Sequence, residues 1–436
     1  MDSALLIDEV RLTPILISDP PLLNTQGVHQ PYTPRLIVEV VTRGGVTGVG
    51  ETYGDSAYLA LARPLADALP GRAVTDLNGL FALADRVRAA DGGGTGAADD
   101  TAVEAAGLRG VRTADKLRLS VVSGFEVACL DALGKALGLP VHALLGGKVR
   151  DSVEYSAYLF YRWAGHPEGV PAERDDWGAA LDPAGVVAQA RRFHRLHGFS
   201  SFKLKGGVFP PDEEIAAIRA LAAAFPGMPL RLDPNGAWSV ETSLYVADQL
   251  KGVLEYLEDP ASGTGRMAEV AARTDVPLAT NMCVTTLAEV PEAFARGAVR
   301  IVLSDHHYWG GLHRTRELAA LCRTFGVGLS MHSNTHLGIS LAAMTHVAAT
   351  VPDLRHACDS HYPWQAEDVI TRRHVFRDGR LAVSDAPGLG VELDRAALAA
   401  LHRRWLDDDG GMRDRDDAAA MRAADPGWVT PRVPRW

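Results

Sequence analysis

Cysteine is scarce in this chain and never paired along it. Cys129, Cys283, Cys322 and Cys358 are spread over 436 positions, with no CxxC among them. That spacing excludes a disulfide framework and a thiolate zinc cluster, and it fits a reducing compartment. No apolar run approaches the ~20 residues that span a bilayer, so no membrane partner is expected. The opening MDSALLIDEV lacks a basic segment followed by an apolar one, and a cytoplasmic location is the expectation. A long basic run is missing too. Net charge is −10, from 44 Lys+Arg against 54 Asp+Glu, which argues against a nucleic-acid partner. A small anionic substrate stays compatible, because local charge at a site outweighs the sum. The hydrophobic 47% and charged 22% are ordinary for a globular protein, and the length suits two or three domains or one large barrel with an addition.

What is present falls into two parts. Residues 1 to about 60 read as strands: LIDEVRLTPILI and RLIVEVVT carry β-branched residues in partial alternation, and RGG before VTGVGE suggests a hairpin. Between them PPLLNTQGVHQPYTP reads as a loop. Stretches 56–90 and 120–145 read as helices, and the Gly/Ala-rich DGGGTGAADDTAVEAAGLRG between them as a mobile loop. Segment 1–150 is thus expected to be an α+β domain. Over 151–402, eight short apolar runs alternate with helical patterns such as PDEEIAAIRALAAAFPG. Alternation predicts a parallel sheet, and eight units predict a (β/α)8 barrel. The turn-rich tail, about 403–436, is expected to pack back on the first domain or on a partner subunit.

A polar residue closes each strand from the second onward. Lys205, Asp233, Glu258, Asn281, Asp305, His332 and Asp359 follow at steps of 28, 25, 23, 24, 27 and 27, one βα unit each. In a barrel, all strand C-termini converge on one mouth. Asp233, Glu258 and Asn281 close three consecutive strands. Either acid alone could merely N-cap the next helix; three oxygen donors side by side, without thiolate, suit Mg²⁺. Lys203 and Lys205, in FKLKGG, share one strand face. An ammonium beside another ammonium and a metal is disfavoured, so a lowered pKa and a general base are expected there, with the outer lysine pairing to a substrate carboxylate. Asp305 and His332 close neighbouring strands, which would set a carboxylate against an imidazole. His336 gives an HxxxH spacing with His332 but no HExxH, so zinc is not expected. A metal, a lysine and a His–Asp pair together suggest proton abstraction α to a carboxylate, with the enediolate stabilised by Mg²⁺ and Lys203 and a β-leaving group expelled.

The order KLK, D, E, N, D, H on successive strands resembles the enolase superfamily, and FKLKGG, LDPNGAW, YLEDP, ATNM, HSNTH and DAPGLGVELD resemble its glucarate dehydratase family. The resemblance covers nearly the whole chain. It implies a modified TIM barrel under an α+β capping domain, a homo-oligomer, and Mg²⁺-dependent dehydration of an aldarate: D-glucarate and L-idarate to 5-dehydro-4-deoxy-D-glucarate. It implies Asp233, Glu258 and Asn281 as metal ligands, and Lys205 and the His332–Asp305 dyad as opposed bases at C5. Lys203 and Asn334 are implied as enediolate stabilisers, and Asn24, His29, Thr113, Tyr158 and His361 as substrate contacts. The chain departs from the family pattern at SDHHYWGG, where proline usually follows the aspartate, at LGIS, where an acid usually precedes the isoleucine, and around GETYGD. Segment 162–185 also reads as shortened. Other readings stay open: an enzyme for another acid sugar such as galactarate, a non-catalytic subunit, and a phosphate-binding barrel, for which the Gly-rich loop is lacking.

Overall fold

The computed structural model describes residues 3–90, 113–167 and 175–436. The loop expected over 91–110 lies outside the described residues, as does 168–174 within the stretch read as shortened.

The first domain starts with β1 (Ile7–Ser18), a two-residue pair β2 (Leu23–Asn24) and β3 (Gly27–Val28), then β4 (Tyr32–Thr42) and β5 (Thr47–Tyr53). β1, β4 and β5 form an antiparallel sheet, with the expected turn at 43–46. Helices α1 (Ser56–Asp67), α2 (Leu77–Ala90), α3 (Ala114–Leu137) and α4 (Val141–Leu144) follow. The single helix expected over 56–90 is two. Pro70 and Gly71, the latter at φ +86°, end the first, and the chain returns so that Ile7 N–H donates to Arg72 O at 2.7 Å. α3 lies directly on β5. A Cβ at Gly50 would stand 1.9 Å from Gly124 O, so only glycine admits the helix so near the sheet.

The second domain alternates strand and helix throughout. Its strands are β6 (Ser152–Phe160), β7 (Phe202–Lys205), β8 (Leu230–Asp233), β9 (Tyr256–Glu258), β10 (Leu278–Thr280), β11 (Ile301–Ser304), β12 (Gly328–Met331) and β13 (Cys358–Ser360). Helices α5 (Pro183–His197), α6 (Pro211–Ala224), α7 (Val240–Gln249), α8 (Thr264–Ala271), α9 (Val290–Ala295), α10 (Leu312–Phe325) and α11 (Gly338–Ala349) lie between them. The strands pair in parallel in the order β12-β11-β10-β9-β8-β7-β6-β13, so all eight expected strands form one nearly closed barrel. At the gap between β12 and β13, Leu329 of β12 bridges in parallel to Leu354, four residues ahead of β13. All twelve residues of α11 are buried, because it packs against β5 and α4 of the first domain as well as β6 and α10. A helix apolar all round has to be enclosed in this way.

A short β14 (Arg380–Ala382) pairs antiparallel with the start of β6. The last helices return to the first domain, α12 (Arg395–Asp407) against β1 and α13 (Asp417–Ala424) against β3. The end of the chain reaches the barrel mouth, where Arg435 N–H donates to Ala237 O at 2.7 Å. Among the described residues no helix is long and apolar enough to cross a membrane.

Candidate active site

Parallel register sets Lys205 level with Asp233 on the next strand. Lys205 Nζ donates to Asp233 Oδ2 at 2.7 Å and to Asn235 Oδ1 at 2.9 Å. Lys203 Nζ lies 2.6 Å from Glu258 Oε2, 2.7 Å from Asp359 Oδ2 and 3.5 Å from Asp233 Oδ2, all buried. Tyr158 O–H donates to Asp233 Oδ2 at 3.3 Å, and its ring centre stands 4.6 Å from Lys203 Nζ. These contacts set Lys203 apart from the lowered pKa expected of one crowded lysine. Burial opposes its charge, but Asp359, Glu258 and Asp233 outweigh burial and hold the ammonium well above its usual range. The sequence-based expectation weighed a second ammonium and a metal beside the lysine, not the pull of Asp359.

Asp233, Glu258 and Asn281 stand on three adjacent strand ends. Glu258 Oε1 and Asn281 Oδ1 are buried without a hydrogen-bond partner among the described residues. Burial, and then the neighbouring Asp233 and Asp359, push the Glu258 carboxyl well above the usual range. Buried oxygens that lack donors, crowded by like charge, are costly unless a cation completes them. The donor set is all hard oxygen, so these residues fit Mg²⁺.

Across the mouth, β11 and β12 bring the second group together. Asp305 Oδ2 faces His332 Nδ1 at 3.2 Å, and Asp305 Oδ1 faces His307 Nδ1 at 2.9 Å. Burial lowers the His332 pKa, against the pull of the Asp305 hydrogen bond, and the carboxylate facing Nδ1 favours a proton on that nitrogen. Asp305 lies well below the usual carboxylate range: burial opposes its charge, but His307, His336 and the ring hydrogen bonds favour it. His336 Nε2 lies 3.6 Å from Asp305 Oδ2. Asn334 accepts from Thr335 N–H at 2.9 Å, and its Nδ2 is a buried donor with no acceptor among the described residues.

The first domain adds a third group. His29 Nδ1 lies 3.1 Å from Asp19 Oδ1, and its ring stacks on His361 at 6.1 Å between centres. The Nε2 atoms of both rings lack partners among the described residues. Burial holds His361 down at about 3. Asp19 also accepts from Thr33 Oγ1–H at 2.6 Å and from Arg415 Nη1 at 3.3 Å. Asn24 donates to Asp417 Oδ2 at 2.8 Å and accepts from Gln26 N–H, locking its loop to the tail. Thr113 N-caps α3, accepting from Lys116 N–H at 3.0 Å. Gly207, at φ +72°, lets the FKLKGG turn pass under the same loop, since a Cβ there would meet Thr25 Cγ2 at 2.5 Å.

The predicted residues thus gather in three clusters, with Asn24 and Thr113 engaged in their own loop and cap. Four further residues carry contacts that sequence reasoning gave no role: Asp359, Asn235, His307 and Arg415. Asp359 ended a strand in the ring, and Asn235 sat in LDPNGAW, so both left a signal. Arg415 left none in a tail of alternating charge.

The chain matches the family model "Mandelate racemase / muconate lactonizing enzyme, N-terminal domain" over residues 10–146 and "Enolase C-terminal domain-like" over 185–397. It is 77% identical over 440 residues to a Streptomyces coelicolor protein named "Probable glucarate dehydratase", covering 100% of both chains. A crystal structure of an enolase from Thermobispora bispora complexed with magnesium and formate is 54% identical, with a TM-score of 0.92, over 99% of this chain and 100% of that one. An enolase from Pseudomonas fluorescens, with bound magnesium, potassium and tartrate, is 46% identical with a TM-score of 0.93, over 99% of each chain.

Proposed function

The chain belongs to the enolase superfamily, in its glucarate dehydratase-like group, and from that premise we propose that it converts D-glucarate and L-idarate to 5-dehydro-4-deoxy-D-glucarate. At the coarser level it is an acid-sugar dehydratase-like enzyme. The observation that carries the finer reading is the pair of buried candidate bases, Lys205 on Asp233 and His332 on Asp305, beside the unpartnered oxygens of Glu258 and Asn281.

Asp233, Glu258 and Asn281 would hold Mg²⁺, which when bound supplies Lewis-acid activation of a substrate carboxylate. Lys205 and His332 take the proton from C5 of opposite epimers. For the epimer it serves, His332 accepts that proton on Nε2 while Asp305 holds Nδ1–H, then returns it to the departing 4-hydroxyl; for the other epimer Lys205 keeps the C5 proton and a His332 already protonated on Nε2 gives its own to that hydroxyl. The C5–H and C4–O bonds break, a C4–C5 double bond forms, water leaves, and the enol becomes the 5-keto acid. Lys203, kept charged by its carboxylates, and the free Asn334 amide meet the negative charge that develops on the substrate carboxyl. His29, His361 and Arg415 line the far side, where a second carboxylate would lie.

The test is proton NMR of D-glucarate with enzyme and Mg²⁺ in D₂O. Formation of the 4-deoxy-5-keto acid, lost with a chelator and regained with Mg²⁺, supports the reading. Deuterium at C5 without dehydration moves the substrate to another acid sugar such as galactarate. No change with either overturns the aldarate assignment.

A further inference from the structure

We propose that His307 is a positioning residue for His332, and that it anchors the His–Asp dyad to the capping domain through Ser340 and Glu51; the claim rests on the function proposed above. Asp305 is a shared carboxylate. Its Oδ2 faces His332, while its Oδ1 accepts twice from His307, from the backbone N–H at 3.0 Å and from ring Nδ1 at 2.9 Å. His307 is wholly buried. Burial holds its ring neutral, down at about 4, against the attraction of Asp305. With its proton on Nδ1, the ring has only an acceptor left at Nε2. That atom lies 3.1 Å from the Ser340 hydroxyl and 3.1 Å from the Glu51 carbonyl oxygen. The Ser340 hydroxyl can donate to Nε2 and so support the Nδ1–H tautomer that Asp305 needs, while the Glu51 carbonyl beside it can only accept and pulls the other way.

Ser340 is itself fixed from the other domain. Glu51, on β5, accepts from Ser340 N–H through Oε2 and from Leu337 N–H through Oε1, each at 2.9 Å. Arg35 on β4 holds the same carboxylate at 2.6 and 2.9 Å. The first turn of α11, which follows HSNTH directly, is therefore capped by a capping-domain acid. A continuous chain results: Arg35, Glu51, Ser340, His307, Asp305, His332. Its Lys205 counterpart involves none of these residues, since Lys205 is held by Asp233 and Asn235. Damage to the chain should consequently be felt by one base alone.

The experiment measures C5 hydrogen–deuterium exchange of D-glucarate and L-idarate separately in D₂O with Mg²⁺. His332→Asn defines the epimer that depends on His332. His307→Leu is expected to slow exchange of that same epimer roughly 10- to 100-fold, as loss of an orienting outer partner does, and to leave the other within about twofold. His307→Asn, which keeps an N–H near the Nδ1 position, is expected to restore most of it. Ser340→Ala, a small change that avoids a folding defect, is expected to slow the same epimer by a lesser factor. Equal slowing of both epimers in a folded variant, or no slowing of either, overturns the proposal. If the wild type exchanges neither epimer, the aldarate reading fails by itself. The positioning claim is then read without substrate, from the His332 tautomer by ¹⁵N NMR. A wild-type Nδ1–H tautomer that becomes mixed in His307→Leu supports it, and an unchanged population overturns it.

Discussion

The two halves of the barrel mouth are built on opposite electrostatic plans. The lysine half is dense with formal charge: two ammoniums and three carboxylates within 3.5 Å of one another's partners, all from strands or strand ends of the barrel. The histidine half holds one carboxylate, Asp305, among rings that burial keeps neutral. A group that must meet negative charge stays charged when carboxylates surround it, as Lys203 does. A group that must take up and release a proton is better kept near neutrality, as His332 is. The halves also differ in their supports. The first is rigid strand; the second hangs from contacts between two domains.

The comparison breaks most sharply if either base can be removed without loss. His332→Asn is expected to lower kcat for dehydration by roughly 10²–10⁴, the usual worth of general acid–base catalysis, with an unchanged circular dichroism spectrum. Retention of kcat within tenfold would remove the histidine half from the chemistry. Next in size is the inter-domain support. Arg35→Met leaves Glu51 buried and unpaired and is expected to cost about 3–5 kcal/mol in urea unfolding. A cost under about 1 kcal/mol would mean that the helix amides alone suffice for Glu51.

Titration sharpens the contrast further. His306, His307, His332, His346 and His361 all lie below the reference of 6.5, with values of about 4, 4 and 3 for His307, His346 and His361. Each takes a proton in the unfolded chain before the native one, so stability is lost as pH falls from about 6.5 towards 4. Glu126 and Glu214, raised to about 7 by burial, act oppositely, adding stability as pH falls from about 7 to 4.5. With His166, His197, His313 and His374 also held down, and Asp131, Glu258, Asp259 and Asp368 also pushed up, nine imidazoles stand against six carboxyls, so Tm by calorimetry should fall from pH 7 to pH 5. His306→Phe should flatten that fall, because His306 sits in the neutral half. The smallest expected effect lies outside both halves. Asn24→Ala removes the bond to Asp417, worth about 1 kcal/mol, and should raise KM about fivefold at constant kcat in steady-state assays.

Much of the lysine half could be read from the chain, because each of its residues marks the end of a strand and the βα repeat fixes where those ends meet. The same repeat exposed Asp305 and His332. The sign of the Lys203 shift could not be read, since Asp359 is 156 positions away and meets it only when β6 and β13 pair. His307 and Ser340 escaped for a similar reason: one follows a strand, the other lies in a helix, and Glu51 belongs to another domain. Asn24 and Thr113, placed by family resemblance, are engaged in a loop lock and a helix cap, roles that a motif does not distinguish from substrate contact. The helix break at Pro70–Gly71 was visible in the letters and outweighed by the apolar spacing on either side.

The wholly buried α11 sets a limit on modularity. Cut from its cap, the barrel would turn the β5- and α4-facing side of an apolar helix to water and strip the acid from that helix's first amides. The cap is thus not an interchangeable cover that could be traded between barrels to alter what they accept. Any graft must bring its own carboxylate to the position of Glu51, or the recipient loses the cap on that helix's first turn and the support of the dyad together.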